Sequence, residues 1–157
     1  MIFRKLILLS FALLCSCQHL EEKESFFTKN KNFVYHSSPK QGSKILLPHK
    51  STHRKKWVYA AHDPTIAFSF IAKGGDYVIW KGSCDDGIFT LVERVSGAVE
   101  RIYKNKKGSL YKISREGFLE NQTSWEDEVI KAGEAEVLEE RQYENALEQL
   151  LALEKQK

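Results

Sequence analysis

Three side chains in this sequence have the chemistry of a reaction centre: His36 in FVYHSS, Tyr59 in WVYAAHDP and Glu128 in WEDEVI. Each stands in a short strand or at its end, and three such strands can meet in one sheet. An imidazole offers one hydrogen-bond donor and one acceptor when neutral. A tyrosine face suits an offset stack on an aromatic base. A carboxylate beside developing positive charge stabilises a transition state more than its ground state, as at glycosidic bonds. Glu126 competes with Glu128, because alternation along a strand puts both on one face. Glu128 is favoured because the apolar pair Val129-Ile130 follows it.

Two further constellations deserve weighing. His49 and His53 stand four apart, His62-Asp63 follow, and Cys84-Asp85-Asp86 come later. A four-residue spacing can place two histidines on one helix face for zinc. However, PHKSTHRKK has no helical apolar stripe and its cations oppose a divalent ion, so no metal is expected. Cys84 reads as a structural cysteine at a turn, since Asp85 and Asp86 disfavour its thiolate. The other constellation is basic: Lys40, Lys44, Lys50, Arg54, Lys55 and Lys56, joined by Lys104, Lys106 and Lys107. It matches no named nucleic-acid motif. Lipid headgroups, cell-envelope polymers or a nucleotide pyrophosphate are its candidate partners, against the plainer reading of a solvated loop.

The elements that must position these groups are legible to different degrees. FVYHSS is an aromatic and β-branched strand ending at Ser37-Ser38-Pro39. Residues 40–56 read as a polar loop with one apolar foothold, Ile45-Leu46-Leu47. Trp57 to Ala60 is a strand that feeds a capped helix. There Asp63 accepts from free backbone N–H groups, and Pro64 takes the first helical position. Ile66, Ala67, Phe70 and Ile71 give that helix its apolar face, and Gly74-Gly75 its stop. DYVIW and GIFTLV are strands joined by a turn, and Glu93 to Tyr103 is ambiguous. Ser109 to Ser114 is a strand, Phe118 plugs the core, and WEDEVI and AEVL are weaker strand candidates. Arg141 to Gln156 is the clearest helix, with Tyr143, Ala146, Leu147, Leu150 and Leu151 in one stripe. The fold class is therefore α+β, with six or seven short strands, one internal helix and a C-terminal amphipathic helix.

The chain has 157 residues, and its first sixteen are read as a signal peptide. Arg4 and Lys5 precede the nine-residue run LILLSFALL, too short to cross a bilayer and fitting a secretory h-region. Leu14-Cys15-Ser16-Cys17 resembles a bacterial lipobox with Cys17 as the lipidated residue. Residues 17–31 are expected to form a flexible tether and 32–157 a single domain. With Cys17 acylated, only Cys84 would remain as a thiol, so no disulfide would staple the domain. Charge is uneven: Cys17 to Arg115 carries 18 Lys and Arg against 9 Asp and Glu, and Glu116 onward carries 4 against 12. That asymmetry implies a positively charged face.

The strand-end histidine of VYHSSP, the strand tyrosine of WVYAAHDPTIAFSF and the late glutamate of WEDEVIK resemble the ADP-ribosyltransferase superfamily, in its diphtheria-toxin-like His-Tyr-Glu branch. The likeness runs from about Phe33 to Leu138. The chain is also similar to a group of bacterial proteins sharing HxSxxxxxxxLxPHxSxH, VYAxxDPxIAxxF and WxxEV, a likeness that brings no activity with it. The superfamily resemblance implies a split sheet across which NAD lies as substrate. His36 would then hold the adenosine-side ribose, with Ser38 beside it, and Tyr59 would stack on nicotinamide. Glu128 would orient the other ribose and favour the oxocarbenium-like transition state. On this reading the chain is an envelope lipoprotein that binds or cleaves NAD, either as an ADP-ribosyltransferase or as an NAD glycohydrolase. The alternative is a non-catalytic, lipid-anchored envelope protein that binds an anionic partner through its basic loop.

Overall fold

A computed structural model describes residues 26–27, 30–51, 54–73, 78–83 and 88–154, with the side chains of 78–91 left aside. The lipobox, Gly74-Gly75, His53 and the Cys84-Asp85-Asp86 turn lie outside the described residues. The fold is mixed α and β, built on a curled antiparallel sheet. Its strands are β1 (Phe33–Ser38), β2 (Ile45–Leu46), β3 (His49–Lys50), β4 (Lys56–Ala61), β7 (Gly108–Ser114), β8 (Glu128–Lys131) and β9 (Ala135–Tyr143). The order is β2-β9-β7-β1-β4-β3, with β8 on the other edge of β4. A separate pair joins β5 (Val78–Ser83) to β6 (Ile88–Glu93). Among the described residues the helices are α1 (Pro64–Ser69), α2 (Ala98–Tyr103) and α3 (Ala146–Glu154).

Strand alternation divides the apolar side chains between two cores. Val34, Val58, Ala60, Tyr111, Ile113 and Val129 pack together on one face with Leu46, Phe118 and Ala135. Tyr35, Ala61 and Leu110 turn to the opposite face. There they meet Ile66, Ala67 and Phe68 of α1, Tyr103 of α2, and Leu150 and Leu153 of α3. Phe26 joins this second core, edge-on to Tyr35 at 5.9 Å and beneath the Arg141 guanidinium at 4.5 Å. The packed fold thus takes in part of the stretch read as a tether.

The cap expected of α1 is present: Asp63 Oδ1 accepts from Thr65 N at 2.7 Å and Ile66 N at 3.3 Å. Its buried face differs from the expected one. Phe68 is fully buried, whereas Phe70 is 46% exposed and meets Trp125 edge-on. The helix ends at Ser69, so Phe70 escapes the helical period.

Three other expectations are corrected. WEDEVI is not all strand: residues 125–127 form a turn closed by Glu128 N donating to Trp125 O, and β8 starts at Glu128. The C-terminal helix begins at Ala146 rather than Arg141. Arg141, Gln142 and Tyr143 instead extend β9 opposite Leu110, Ser109 and Gly108. Asn145 then accepts from Glu148 N at 3.3 Å and opens the helix. Finally, the basic loop contains two short strands, and only Leu46 of its apolar triplet is buried; Ile45 and Leu47 are exposed.

Candidate functional site at the split beside Tyr59

In an antiparallel strand, successive residues point their backbone groups to opposite edges. Along β4, Val58 and Ala60 therefore serve β8, while Trp57, Tyr59 and Ala61 serve the other edge. On that edge Trp57 lies opposite His49 of β3, and Ala61 lies opposite Tyr35 of β1. Between these two pairings, among the described residues, no strand pairing is made along that edge of β4. The His36 side chain enters instead, with Nδ1 at 2.7 Å from the Tyr59 carbonyl oxygen. The sheet is split at this point, and an imidazole bridges the split.

The local sequence explains why β1 and β4 part. β1 is fully paired with β7 on its other edge, from Phe33 opposite Ser114 to Ser38 opposite Ser109. Beyond Tyr35 the chain is tied to α1, because the buried Ser37 hydroxyl donates to the Ala67 carbonyl at 2.5 Å. Gly108 allows the end of β1 to lie close. A Cβ there would run into the Ser38 carbonyl and the Ile71 side chain.

The bond to Tyr59 fixes the chemistry of His36. A carbonyl only accepts, so Nδ1 carries the hydrogen. Burial drives the His36 pKa down to about 4, assisted by nearby His49 and opposed by the Tyr59 carbonyl bond. At neutral pH the ring is therefore uncharged, and Nε2 is an acceptor.

Tyr59 is 7% exposed, and its hydroxyl donates to the Lys55 carbonyl at 2.9 Å. Its pKa is raised, chiefly by burial and secondly by the negative charge of Glu128, against a backbone hydrogen bond from Ser51. Glu128 lies opposite Ala61, which puts it on the same face of the sheet as Tyr59. Its Oε2 is buried. The structure thus puts Tyr59 and Glu128 on one face of the sheet, while alternation along β1 puts His36 on the other, beside Val34, so that His36 meets Tyr59 through its backbone carbonyl. Glu126 sits exposed in the preceding turn, so the two glutamates do not share a strand face.

Ser38 stands two residues beyond His36, and its hydroxyl is used locally, accepting from Lys40 N at 3.1 Å. His62 lies 3.2 Å from Glu120, away from the split. Among the described residues no group of three or more His, Cys, Asp or Glu side chains is placed to hold a metal ion.

One participant was missed in the sequence. The exposed His49 ring lies 5.6 Å from Tyr59 and 6.1 Å from His36. With Trp57 at 6.0 Å from Tyr59 and Tyr111 at 6.3 Å from His36, it completes a row of five rings across the split. Only the pairing of β3 with β4 brings His49 there, and its neighbours in sequence carry no sign of it. Comparison with known protein families, with characterised proteins and with solved structures finds no match to this chain.

Proposed function

We propose that the split beside Tyr59 binds NAD and that the domain is ADP-ribosyltransferase-like, binding or cleaving NAD as substrate. The observation that carries this reading is the His36–Tyr59 bond. It holds a neutral imidazole in one tautomer and leaves Nε2 as an acceptor suited to a ribose hydroxyl. The donor set fits the rest of the substrate. The aromatic row beside the split matches a flat nicotinamide or adenine ring. Glu128, coupled electrostatically to Tyr59, supplies negative charge where a sugar becomes cationic as nicotinamide departs with the bonding electron pair. Water or an acceptor nucleophile then takes the anomeric carbon. A ring stacking on Tyr59 would meet His49, the only one of the four histidine and tyrosine rings in that row that is exposed among the described residues.

Titration of the full chain with NAD and measurement of nicotinamide release test the reading. Binding is expected in the wild type. Release should fall by about a hundredfold or more in Glu128→Gln, the scale at which a charge-stabilising group acts. Absence of binding, together with release unchanged in Glu128→Gln, would sink it. The same proposal places the protein on the bacterial envelope through a lipid at Cys17. Palmitate labelling should mark the wild type and not Cys17→Ala.

A further inference from the structure

We propose that the tip of the β3–β4 hairpin docks on an anionic lipid bilayer. This inference is independent of what the split binds. Residues 39–57 contain six cations and no acidic residue. Four of them, Lys50, Arg54, Lys55 and Lys56, crowd the hairpin tip, and all four are exposed. The register sets Lys50 directly opposite Lys56. Like charges facing each other across an antiparallel pair destabilise it. Among the described residues no carboxylate relieves this pair; the ion pairs lie at Lys104, Lys112, Arg115, Arg141 and His62. The fold thus keeps a cationic pair that is costly in the free protein and favourable against a negative surface.

Charge alone would suit any polyanion; the apolar residues narrow the choice. Leu47, on the connection that leads into the hairpin, is 61% exposed, and Ile45 of the preceding β2 is 51% exposed. Trp57 is half-buried with the Lys55 ammonium 5.0 Å over its ring. Large aliphatic side chains, a tryptophan and lysines together suit the boundary between headgroups and acyl chains. Among the described residues no helix is long and apolar enough to cross a membrane. A lipid at Cys17 would keep the hairpin near such a surface and add to its binding, but the hairpin's own contribution is separable.

The test is co-sedimentation of the full chain with vesicles of phosphatidylcholine alone, and with vesicles containing about a third phosphatidylglycerol. The wild type should partition onto the anionic vesicles in excess of the neutral ones. Replacing Lys50, Arg54, Lys55 and Lys56 by Gln should reduce that excess by about a hundredfold or more. Leu47→Ser should reduce it several-fold while leaving its salt dependence intact. Thermal unfolding of the same variants controls for the fold. Lys50→Gln is expected to melt no lower than the wild type, because it removes the repulsion with Lys56. Equal partition onto neutral and anionic vesicles would overturn the proposal, as would an unchanged excess in the four-residue variant. Inorganic polyphosphate binding as tightly as the anionic vesicles, with no effect of Leu47→Ser, would also overturn it, in favour of a soluble polyanion.

Discussion

The neutral His36 ring is a measurable property of a single residue. Its pKa of about 4 lies below the ordinary value of 6.5, so the folded protein resists a proton that the unfolded chain accepts. The unfolded state then binds more protons between these values, and stability rises with pH across that window. Stability conferred by the neutral ring is fully present above about pH 6.5 and is lost progressively as the pH falls toward 4. The size of the effect is about 3 kcal/mol at most, from 1.36 kcal/mol per pKa unit. His36→Gln should flatten that part of the pH–stability curve, as read by urea unfolding at a series of pH values; an unchanged slope would assign it to other groups. In nitrogen-resolved NMR, the wild-type ring should show its hydrogen on Nδ1. Glu128→Gln should also lower the Tyr59 phenol pKa, since one of the two causes raising it is that carboxylate. Burial, the larger cause, remains, so the fall should be partial. At this scale the strand positions of His36, Tyr59 and Glu128 were readable from the sequence pattern. His49 was not, because its importance comes wholly from a pairing distant in space from any local pattern.

At the scale of elements, local chemistry reads well wherever it decides the outcome. Asp63 and Pro64 announce α1, and Asp63→Ala should cost about 1 kcal/mol of stability by removing the accepted Thr65 and Ile66 N–H bonds. Arg141 to Tyr143 read wrongly because Tyr143 continues the helical stripe. The same three residues, however, complete a nine-residue strand against β7, and a ladder partner outweighs a propensity difference of a few tenths of a kcal/mol. Glu128 and Glu126 divide for a related reason. The hydrogen-bonded turn at Trp125 consumes residues that alternation alone would assign to the strand. Gly108 is the element-scale residue on which the split depends, since it lets the end of β1 lie against β7 beneath Ile71. Gly108→Ala is expected to destabilise by about 1–3 kcal/mol through overpacking. Gly133→Ala, where an added Cβ meets nothing within 4 Å, should be close to neutral. Equal melting temperatures for the two variants would refute the assigned role.

At the scale of the molecule, the sheet's curl is held by a short strap whose purpose no local pattern reveals. β2 pairs with β9 near one end of the strand order and β3 pairs with β4 at the other, yet only Leu47 and Pro48 separate them. Three peptide units span at most about 11 Å, so the two ends of the sheet must curl to within that distance. Leu46 anchors the strap in the core formed with Val34, Tyr111, Val129 and Ala135. His49 leaves the strap to lie over Tyr59. The apolar foothold at residues 45–47 is legible in the sequence, but two-residue strands are too short to show alternation, so the segment reads there as a loop. The anchor and the site are therefore mechanically joined, and a core substitution should be felt at the split. Leu46→Ala should cost about 2–5 kcal/mol, the range for truncating a buried leucine. It should speed amide hydrogen exchange not only at Ala135 and Glu136 beside β2 but also at His49 and Trp57 beyond the strap. Leu110, between β1 and β9 in the other core, should exchange at a rate changed only by the global loss of stability. Faster exchange confined to the β2–β9 pair would mean that the strap does not couple the ends of the sheet, and that His49 is held over Tyr59 by its pairing with Trp57 alone.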